Sequence, residues 1–356
     1  MSKIYMINNG YHGCCYVRIL LPAFNNGFLT DKSSVGSELC QDHALIERNL
    51  RQAEVVVFHR PESQEHLDLI KILKKDGKKI VVDNDDTFKM DDDHPLAVWT
   101  WDAKRVIITE RDRCLDESLR LADLVTTTTE TLKEEYSKIN DKVEVLPNCV
   151  DPMDWDEPIR NEGKKVRIGL VGSTTFSYDY GHVKDVLREL SDRDDVQLVM
   201  FGWQNKVGRT DNPKVTEYFE KEYKFWDSLD IEQIPNCPSA DYPSKLNEAK
   251  LDIMLIPRRE NYFNICKSNV KFLEASMCEI PVIAQSFDKG AYEEITADMG
   301  FLIKDNSKWM EAINIMIDNK ELRREMGKKA KEYVLNNYNI EEKASLWDEA
   351  YQKLIN

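Results

Sequence analysis

Several features that would assign this 356-residue chain to a common class are missing from its sequence. No stretch approaches the roughly 20 apolar residues of a membrane-spanning helix, and the opening MSKIYMINNG lacks the basic and apolar regions of a secretory signal. The eight cysteines form no C-x-x-C pair and no regular framework, so neither a zinc site nor structural disulfides are expected. These absences predict a cytoplasmic protein with reduced thiols and no membrane span.

Positive charge is also in short supply. Lys and Arg number 49 against 64 Asp and Glu, which gives a formal net charge of -15. The densest basic stretch, residues 104–120, carries interleaved acidic side chains and is typical of a solvated helix face. Nonspecific binding to nucleic acid or to an anionic membrane is therefore disfavoured.

The chain has no G-x-G-x-x-G loop after a predicted strand, which argues against a dinucleotide-dependent dehydrogenase or epimerase. What it does have is an alternation of short β-branched runs with longer amphipathic stretches, the pattern of parallel strands joined by helices. We predict an α/β protein of two Rossmann-like domains, residues 1–150 and 151–337, separated by the proline-punctuated linker PNCVDPMDWDEP.

Within that pattern the elements can be placed. Strands are predicted at 3–8, 53–58, 79–83, 123–127, 143–146, 166–171, 197–201, 252–256 and 282–284. Helices are predicted at 63–75, near 183–191, at 268–278 and over most of 309–355. The aromatic stretch 218–226 suits the buried face of an amphipathic helix better than a stacking surface for sugars or bases.

Two candidate regions lie in the first half. Gly10, Tyr11, His12 and Gly13 follow the first strand, where doubly wound sheets bind ligands, although an ordinary turn explains them equally well. Arg18 on the next helix faces either an anion or solvent, and together with the four loop residues it is a candidate for acceptor contact.

The second of these regions is the cluster Asp83-Asn84-Asp85-Asp86 at the end of a strand. Asp85 and Asp86 are candidates for acceptor contact or for a general base, with metal binding or helix capping as alternatives.

The strongest signal is the segment 264–275, NICKSNVKFLEA. Ser268 or Asn269 can cap a helix whose first turn, together with Lys267, would hold a diphosphate. Glu274 lies about two turns further on, within reach of ribose hydroxyls. The loop Gly172-Ser173-Thr174 ends the first strand of the second domain and would lie near the same diphosphate.

At these residues the chain resembles the large family of retaining GT-B glycosyltransferases that includes sucrose and glycogen synthases, and within it a phage and bacterial subgroup. The resemblance rests on five blocks: the glycine-containing loop with 16–18, the segments 122–126 and 145–151, the block 267–284, and the terminal helices. It implies the GT-B fold, with a C-terminal helix (338–356) that returns to the first domain.

The resemblance also implies a reaction. A sugar would pass from a nucleoside diphosphate to a hydroxyl with retention of configuration, without a cofactor and without an obligatory metal. Lys267, Glu274 and Asp85 would take catalytic roles, and Arg258 and Asn264 would join the donor-binding residues. The acceptor stays open among a glycan, a modified nucleobase in DNA, a protein and a lipid-linked sugar, and the acidic balance weighs against DNA and membrane surfaces.

Two positions depart from the family pattern. Cys266 stands where the first of two glutamates eight residues apart is common, and Ser173 stands where many members carry an arginine. These departures leave a non-catalytic nucleotide- or sugar-binding relative as the alternative.

Overall fold

The computed structural model of the protein describes residues 3–7, 12–30, 43–87, 103–173, 176–202 and 213–355. Within them lie two six-stranded sheets in which every strand pairing is parallel. Helices join most of the successive strands within each sheet, so the predicted α/β class is confirmed.

The first sheet has the order β2-β1-β3-β4-β5-β6. Its strands are β1 Ile4–Ile7, β2 Leu29–Thr30, β3 Val55–His59, β4 Lys79–Asp83, β5 Leu124–Thr127 and β6 Val143–Val145. The second sheet has the order β12-β11-β10-β7-β8-β9. Its strands are β7 Val166–Val171, β8 Val196–Phe201, β9 Ile231–Ile234, β10 Ile253–Ile256, β11 Val282–Gln285 and β12 Gly300–Ile303.

The α-helices associated with the first sheet are α1 Gly13–Cys15, α2 Leu21–Asn26, α3 His43–Gln52, α4 Gln64–Lys75, α5 Ala103–Leu121 and α6 Glu130–Tyr136. Those that follow are α7 Ser177–Tyr180, α8 Lys184–Ser191, α9 Pro213–Asp227, α10 Tyr242–Glu248, α11 Tyr262–Ile265, α12 Val270–Met277, α13 Trp309–Asp318, α14 Lys320–Tyr338, α15 Ile340–Lys343 and α16 Ser345–Gln352. A π-helical stretch, Tyr16–Leu20, joins α1 to α2. Short 3₁₀ turns occur at Pro152–Asp154, Gly181–Val183 and Asn306–Lys308.

Local sequence explains several of these boundaries. Ser63 accepts a hydrogen bond from the backbone N–H of His66 and so caps α4, and Gly77, at a φ of 79°, follows the end of that helix. The predicted strands at 79–83 and 166–171 agree with β4 and β7 residue for residue. The aromatic stretch lies on α9, where Phe219, Phe225 and Trp226 are buried, as predicted.

The end of the chain packs on the first sheet. Ile340, Trp347 and Tyr351 are buried in one apolar cluster with Ile4 and Met6 of β1. The predicted return of a C-terminal helix to the first domain is therefore confirmed.

The chain passes between the two sheets at two adjacent points. The Val150 N–H donates to the carbonyl of Tyr338, and the Ile340 N–H donates to the carbonyl of Val150, each at 2.9 Å. These bonds form an isolated parallel bridge between Val150 and Asn339. The domain boundary at residues 150 and 151 stays a prediction.

Candidate active site

The loops that follow the strands of the two sheets meet at the candidate site. Asp83 ends β4 in the first sheet and is fully buried. Arg18 donates to both of its oxygens, at 3.1 and 2.6 Å, and Thr126 donates to Oδ2 at 2.7 Å. Because unpaired buried charges are costly, this carboxylate depends on its arginine.

Arg18 was expected to contact an acceptor, and the structure corrects that expectation. Its side chain is fully buried, and it also donates to the carbonyl of Leu146 at 2.5 Å and to Asn148 Oδ1 at 3.2 Å. Desolvation acts to lower the pKa of the guanidinium, but the charge and hydrogen bonding of Asp83, together with the nearby Asp85 and Tyr351, hold the pKa above its usual value. Arg18 thus fixes the interior of the first domain rather than facing a ligand.

Asp85 lies between two basic groups. Its Oδ1 is 3.2 Å from His59 Nε2 and 2.6 Å from Arg60 Nε. Burial acts to raise the pKa of this carboxyl, but Arg60 and His59 hold it well below its usual range. A carboxylate whose charged form is so strongly stabilised takes up a proton poorly at neutral pH. The surroundings of Asp85 therefore favour a hydrogen bond to the acceptor substrate over the expected role as a general base.

Asp86 forms an ion pair with a residue of the second half of the chain. Its two oxygens lie 2.7 and 2.6 Å from Lys267 Nζ, and Arg60 Nη2 is 3.5 Å from Oδ2. Lys267 also lies over the ring of Phe263, 3.9 Å from its centroid. The lysine expected to hold a diphosphate is therefore paired with the carboxylate expected to face an acceptor.

His12 and Gly13 are exposed at the start of α1, whereas Gly10 and Tyr11 lie outside the described residues. His12 Nδ1 accepts the N–H of Cys15 at 3.3 Å. Partial desolvation and the nearby His59 and Arg60 lower the pKa of His12 to about 4. The ring is therefore neutral at pH 7, and with Nδ1 accepting, Nε2 carries the proton and can donate to a ligand oxygen.

In the second domain, α12 begins at Val270 with Asn269 as the preceding cap residue, but no side chain caps it. Asn269 Nδ2 donates to Glu294 instead, and Ser268 Oγ accepts from Asn148 Nδ2 at 2.8 Å. The expected cap is therefore wrong, since both side chains have other partners. The N–H of Phe272 donates to the carbonyl of Asn269 at 2.8 Å, which leaves the N–H groups of Val270 and Lys271 in the first turn for another acceptor.

Glu274 lies on the second turn of α12 and is partly exposed. Its Oε2 accepts from the hydroxyl of Tyr242 and from Lys271 Nζ, each at 2.8 Å. Lys271 and Tyr242 did not figure among the predicted site residues. The signal for Lys271 was its spacing, four residues after Lys267 and three before Glu274, which places all three near one face of a helix.

The loop after β10 carries Arg258, which is buried and paired with Asp179 at 2.9 Å. Its guanidinium lies 4.2 Å from the ring centroid of Phe176. Asn264 is buried as well, and its Nδ2 donates to Asp179 Oδ1 at 2.6 Å and to the carbonyl of Arg259 at 2.9 Å. Asn264 therefore braces the loop, and this corrects the expectation that its side chain contacts the donor.

The loop after β7 begins with Gly172, at a φ of 157°. A Cβ at this position would lie 2.4 Å from the ring of Phe176, so glycine is required there. The carbonyl of Ser173 accepts the N–H of Phe176 at 2.9 Å. Thr174 lies outside the described residues.

Cys266, at the position of the first family glutamate, is fully buried and belongs to a cluster with Phe58, Leu132 and Tyr136 of the first domain. Burial raises the pKa of its thiol to about 11, so the group is neutral. Beside it, the hydroxyl of Tyr262 donates to Glu135 at 2.9 Å. The segment that precedes α12 is thus docked on the first domain.

A cavity of about 580 Å³ opens next to this docked segment, between the start of α6 and the loop that follows β11. Lys267, Ser268 and Asn269 form one part of its wall. In the part of the chain that the structure describes, no group of His, Cys, Asp and Glu has the geometry of a metal site. No helix in that part is long and apolar enough to span a membrane.

Comparison with known proteins agrees with this arrangement. Residues 154–333, half of the chain, match the family model described as glycosyl transferases group 1. Trehalose synthase from Thermococcus litoralis is 28% identical over 162 residues, which are 44% of this chain and 37% of that protein. The chain therefore matches little more than a third of this relative's length.

Solved structures extend the likeness in fold to the whole chain. Sucrose-phosphate synthase from Thermosynechococcus elongatus superposes with a TM-score of 0.65 at 16% identity, covering 100% of this chain and 99% of that chain. HepE from Anabaena, in complex with UDP-glucose, gives a TM-score of 0.63 at 12% identity over 98% and 99%. With the family model matched over half of its length, the chain belongs to the glycosyl transferases group 1 family.

Proposed function

We propose that the protein transfers a sugar from a nucleoside diphosphate sugar to a hydroxyl group of an acceptor. The observation that carries the proposal is the convergence of Lys267, Lys271 and Glu274 around the uncapped start of α12. Two ammonium groups and free N–H groups suit a diphosphate, and a carboxylate on the second turn of α12 suits the ribose.

Catalysis follows from that placement. The acceptor oxygen forms a bond to the anomeric carbon as the bond from that carbon to the diphosphate oxygen breaks. The hydroxyl proton passes to the departing diphosphate, so no strong protein base is needed and the configuration is retained. Lys267 and Lys271 would stabilise the negative charge that develops on the leaving group, and no metal is required for that role.

The acceptor hydroxyl would lie on the first-domain side of the cleft. His12 Nε2 can donate to it, and Asp85 and Asp86 can accept from it. Asp86 becomes available when the diphosphate takes over its partner, Lys267. These groups orient the hydroxyl rather than deprotonate it.

A second candidate, a nucleotide-binding relative without turnover, is favoured by one observation. Cys266 is a buried neutral thiol where relatives commonly place a glutamate. Such a protein would bind the nucleotide through α12 but would lack that carboxylate for the donor sugar.

The test begins with thermal shifts of the wild type and Glu274→Ala in the presence of UDP, GDP, ADP and TDP. UDP is the first probe, because a structural relative has been solved with UDP. A ligand at 100 times its Kd stabilises a protein by about 2.7 kcal/mol, so wild type should show a clear rise in Tm that Glu274→Ala loses.

Glu217→Ala, on the exposed side of α9, is the control and should respond like wild type. If no diphosphate stabilises wild type, the proposal fails. If one does, release of that diphosphate from its sugar derivative in the presence of acceptors separates the transferase from the binding relative.

A further inference from the structure

The 580 Å³ cavity has Lys267, Ser268 and Asn269 in one part of its wall, but most of its lining residues lie outside the proposed donor site. Residues 128–131 and Glu134 bound it on the first-domain side, and residues 288–291, 293 and 294 bound it on the other. Its volume lies within the range of small-molecule sites, which is about 300–1,000 Å³. The cavity is therefore large enough to hold a whole small molecule and not only one hydroxyl group.

Charge distinguishes this cavity from the donor side of the cleft. Five carboxylates line it: Glu130, Glu134, Asp288, Glu293 and Glu294. The only cations among the described lining residues are Lys267 and Lys289, and both already have anionic partners. Lys271, the other lysine of the proposed donor site, does not line the cavity, so carboxylates outnumber cations in its wall.

The lining also offers hydroxyl groups. Thr128, Thr129, Thr131 and Ser268 contribute to the wall. Among the described residues, the Thr128 hydroxyl is buried without a partner, and Glu293 is bonded through Oε1 only, to Ser286 at 2.6 Å. Carboxylates and threonine hydroxyls bond readily to the O–H groups of a sugar. Carboxylates repel a phosphate, and hydroxyls do not neutralise its charge.

We infer that this cavity holds the body of the acceptor, and that the acceptor is an uncharged or amino-bearing saccharide rather than a phosphorylated one. The inference rests on the proposed function, since it assigns the second substrate of that reaction. Lys267 and Ser268 are shared by the cavity wall and the approach to α12, so a saccharide in the cavity lies beside the diphosphate site. Its reacting hydroxyl then reaches the side of the cleft where Lys267 meets Asp86.

The experiment measures saccharide binding by saturation-transfer NMR at low ionic strength, with and without saturating UDP. The probes are maltose, glucosamine and glucose 6-phosphate, which differ in charge. Maltose and glucosamine should bind, and glucose 6-phosphate should bind at least tenfold more weakly. Thr131→Trp, which fills the cavity from the first turn of α6, should weaken maltose binding at least tenfold.

The control is Lys328→Trp, which adds the same side chain to an exposed position of α14 and should leave saccharide binding unchanged. The Kd for UDP and the unfolding midpoint of Thr131→Trp should match wild type, which would show that the fold and the donor site are intact. In a Glu130→Gln, Glu293→Gln double variant, the ratio of the Kd for glucose 6-phosphate to the Kd for maltose should fall severalfold.

The outcomes separate the two proposals. If UDP binds but glucose 6-phosphate binds as well as maltose, if neither maltose nor glucosamine binds, or if Thr131→Trp binds maltose like wild type, the cavity assignment is overturned while the transferase proposal stands. If UDP does not bind but maltose does, in a manner that Thr131→Trp abolishes, the cavity is a saccharide site and the proposed function fails.

Discussion

At the scale of single residues, the buried pair of Arg18 and Asp83 stabilises the first domain next to the site. The arginine links Asp83 at the end of β4 to Asn148 near the chain crossing, and Asn148 in turn bonds to Ser268 before α12. A run of hydrogen bonds therefore connects the interior of one domain to the donor helix of the other. Arg18 and Asp83 are fully buried behind the site, whereas Asn148 and Ser268 line the cavity.

Arg18→Met should destabilise the protein by about 3–5 kcal/mol, because it leaves the Asp83 carboxylate buried without its counter-ion. Urea unfolding monitored by circular dichroism would measure the loss. Arg188→Met removes an arginine from the exposed pair with Asp185 and should change stability little. An Arg18→Met protein as stable as wild type would contradict the buried-charge argument.

The placement of Arg18 could not be read from the sequence for a definite reason. Arg18 begins a run of six consecutive buried residues, 18–23, that spans the end of the π-helical stretch and the start of α2, and the pattern of an amphipathic helix does not predict such a run. Lys267, by contrast, is predictable as a residue preceding a helix, but its pairing with Asp86 joins positions 181 residues apart and has no local signal.

At the scale of elements, the terminal helices complete the core of the first domain. Trp347 of α16 is fully buried among residues of β1, and its ring centroid lies 5.9 Å from the guanidinium carbon of Arg18. The helix supplies apolar surface to the face of the sheet that α1 and α2 only partly cover. It belongs to the first domain although it comes last in the chain.

Trp347→Ala should lower the free energy of unfolding by about 3–5 kcal/mol, since the surroundings relax only partly around a deleted aromatic ring. Leu346→Ala is the matched control, because Leu346 is the neighbouring residue and is 37% exposed. Chemical denaturation of both variants tests the difference. Equal losses would show that α16 is not packed as described.

The sequence predicted the central strands and α12 well, but it missed three of the edge strands of the two sheets. The central strands β4 and β7 are rich in β-branched residues, and the helix predicted at 268–278 differs from the observed bounds of α12 by two residues or fewer. β2, β9 and β12 were not predicted. β2 has two residues, and β9, Ile-Glu-Gln-Ile, has exposed polar residues at its centre, so edge pairing rather than their own pattern makes them strands.

At the scale of the whole molecule, side-chain contacts join the two domains across the cleft. They include Lys267 with Asp86, Tyr262 with Glu135, and Lys289 with Glu134. The first of these involves a residue of the proposed donor site and is mostly buried, whereas the last is exposed. Binding of a diphosphate must therefore compete with one interdomain ion pair and not with the other.

Asp86→Asn should strengthen UDP binding about three- to fivefold, because Lys267 no longer has to leave an anionic partner, and this factor corresponds to under 1 kcal/mol. Isothermal titration calorimetry measures it. Glu134→Gln breaks the exposed pair and should leave the Kd for UDP unchanged. Weaker binding by Asp86→Asn would mean that Asp86 instead positions Lys267 for the phosphate.

The packing of α16 also affects when the first domain can complete its core during synthesis. Domains generally fold during synthesis from the first residue onward, at about 5–20 residues per second. The sheet from β1 to β6 is complete at Val145, but Trp347 and Tyr351 have yet to be added to its core. At those rates the ribosome needs roughly 10–40 s more to reach them. The half of the protein that is synthesised first is therefore the half whose core is completed last. Until α16 packs, part of the apolar face of the first sheet is exposed to solvent or covered by a chaperone.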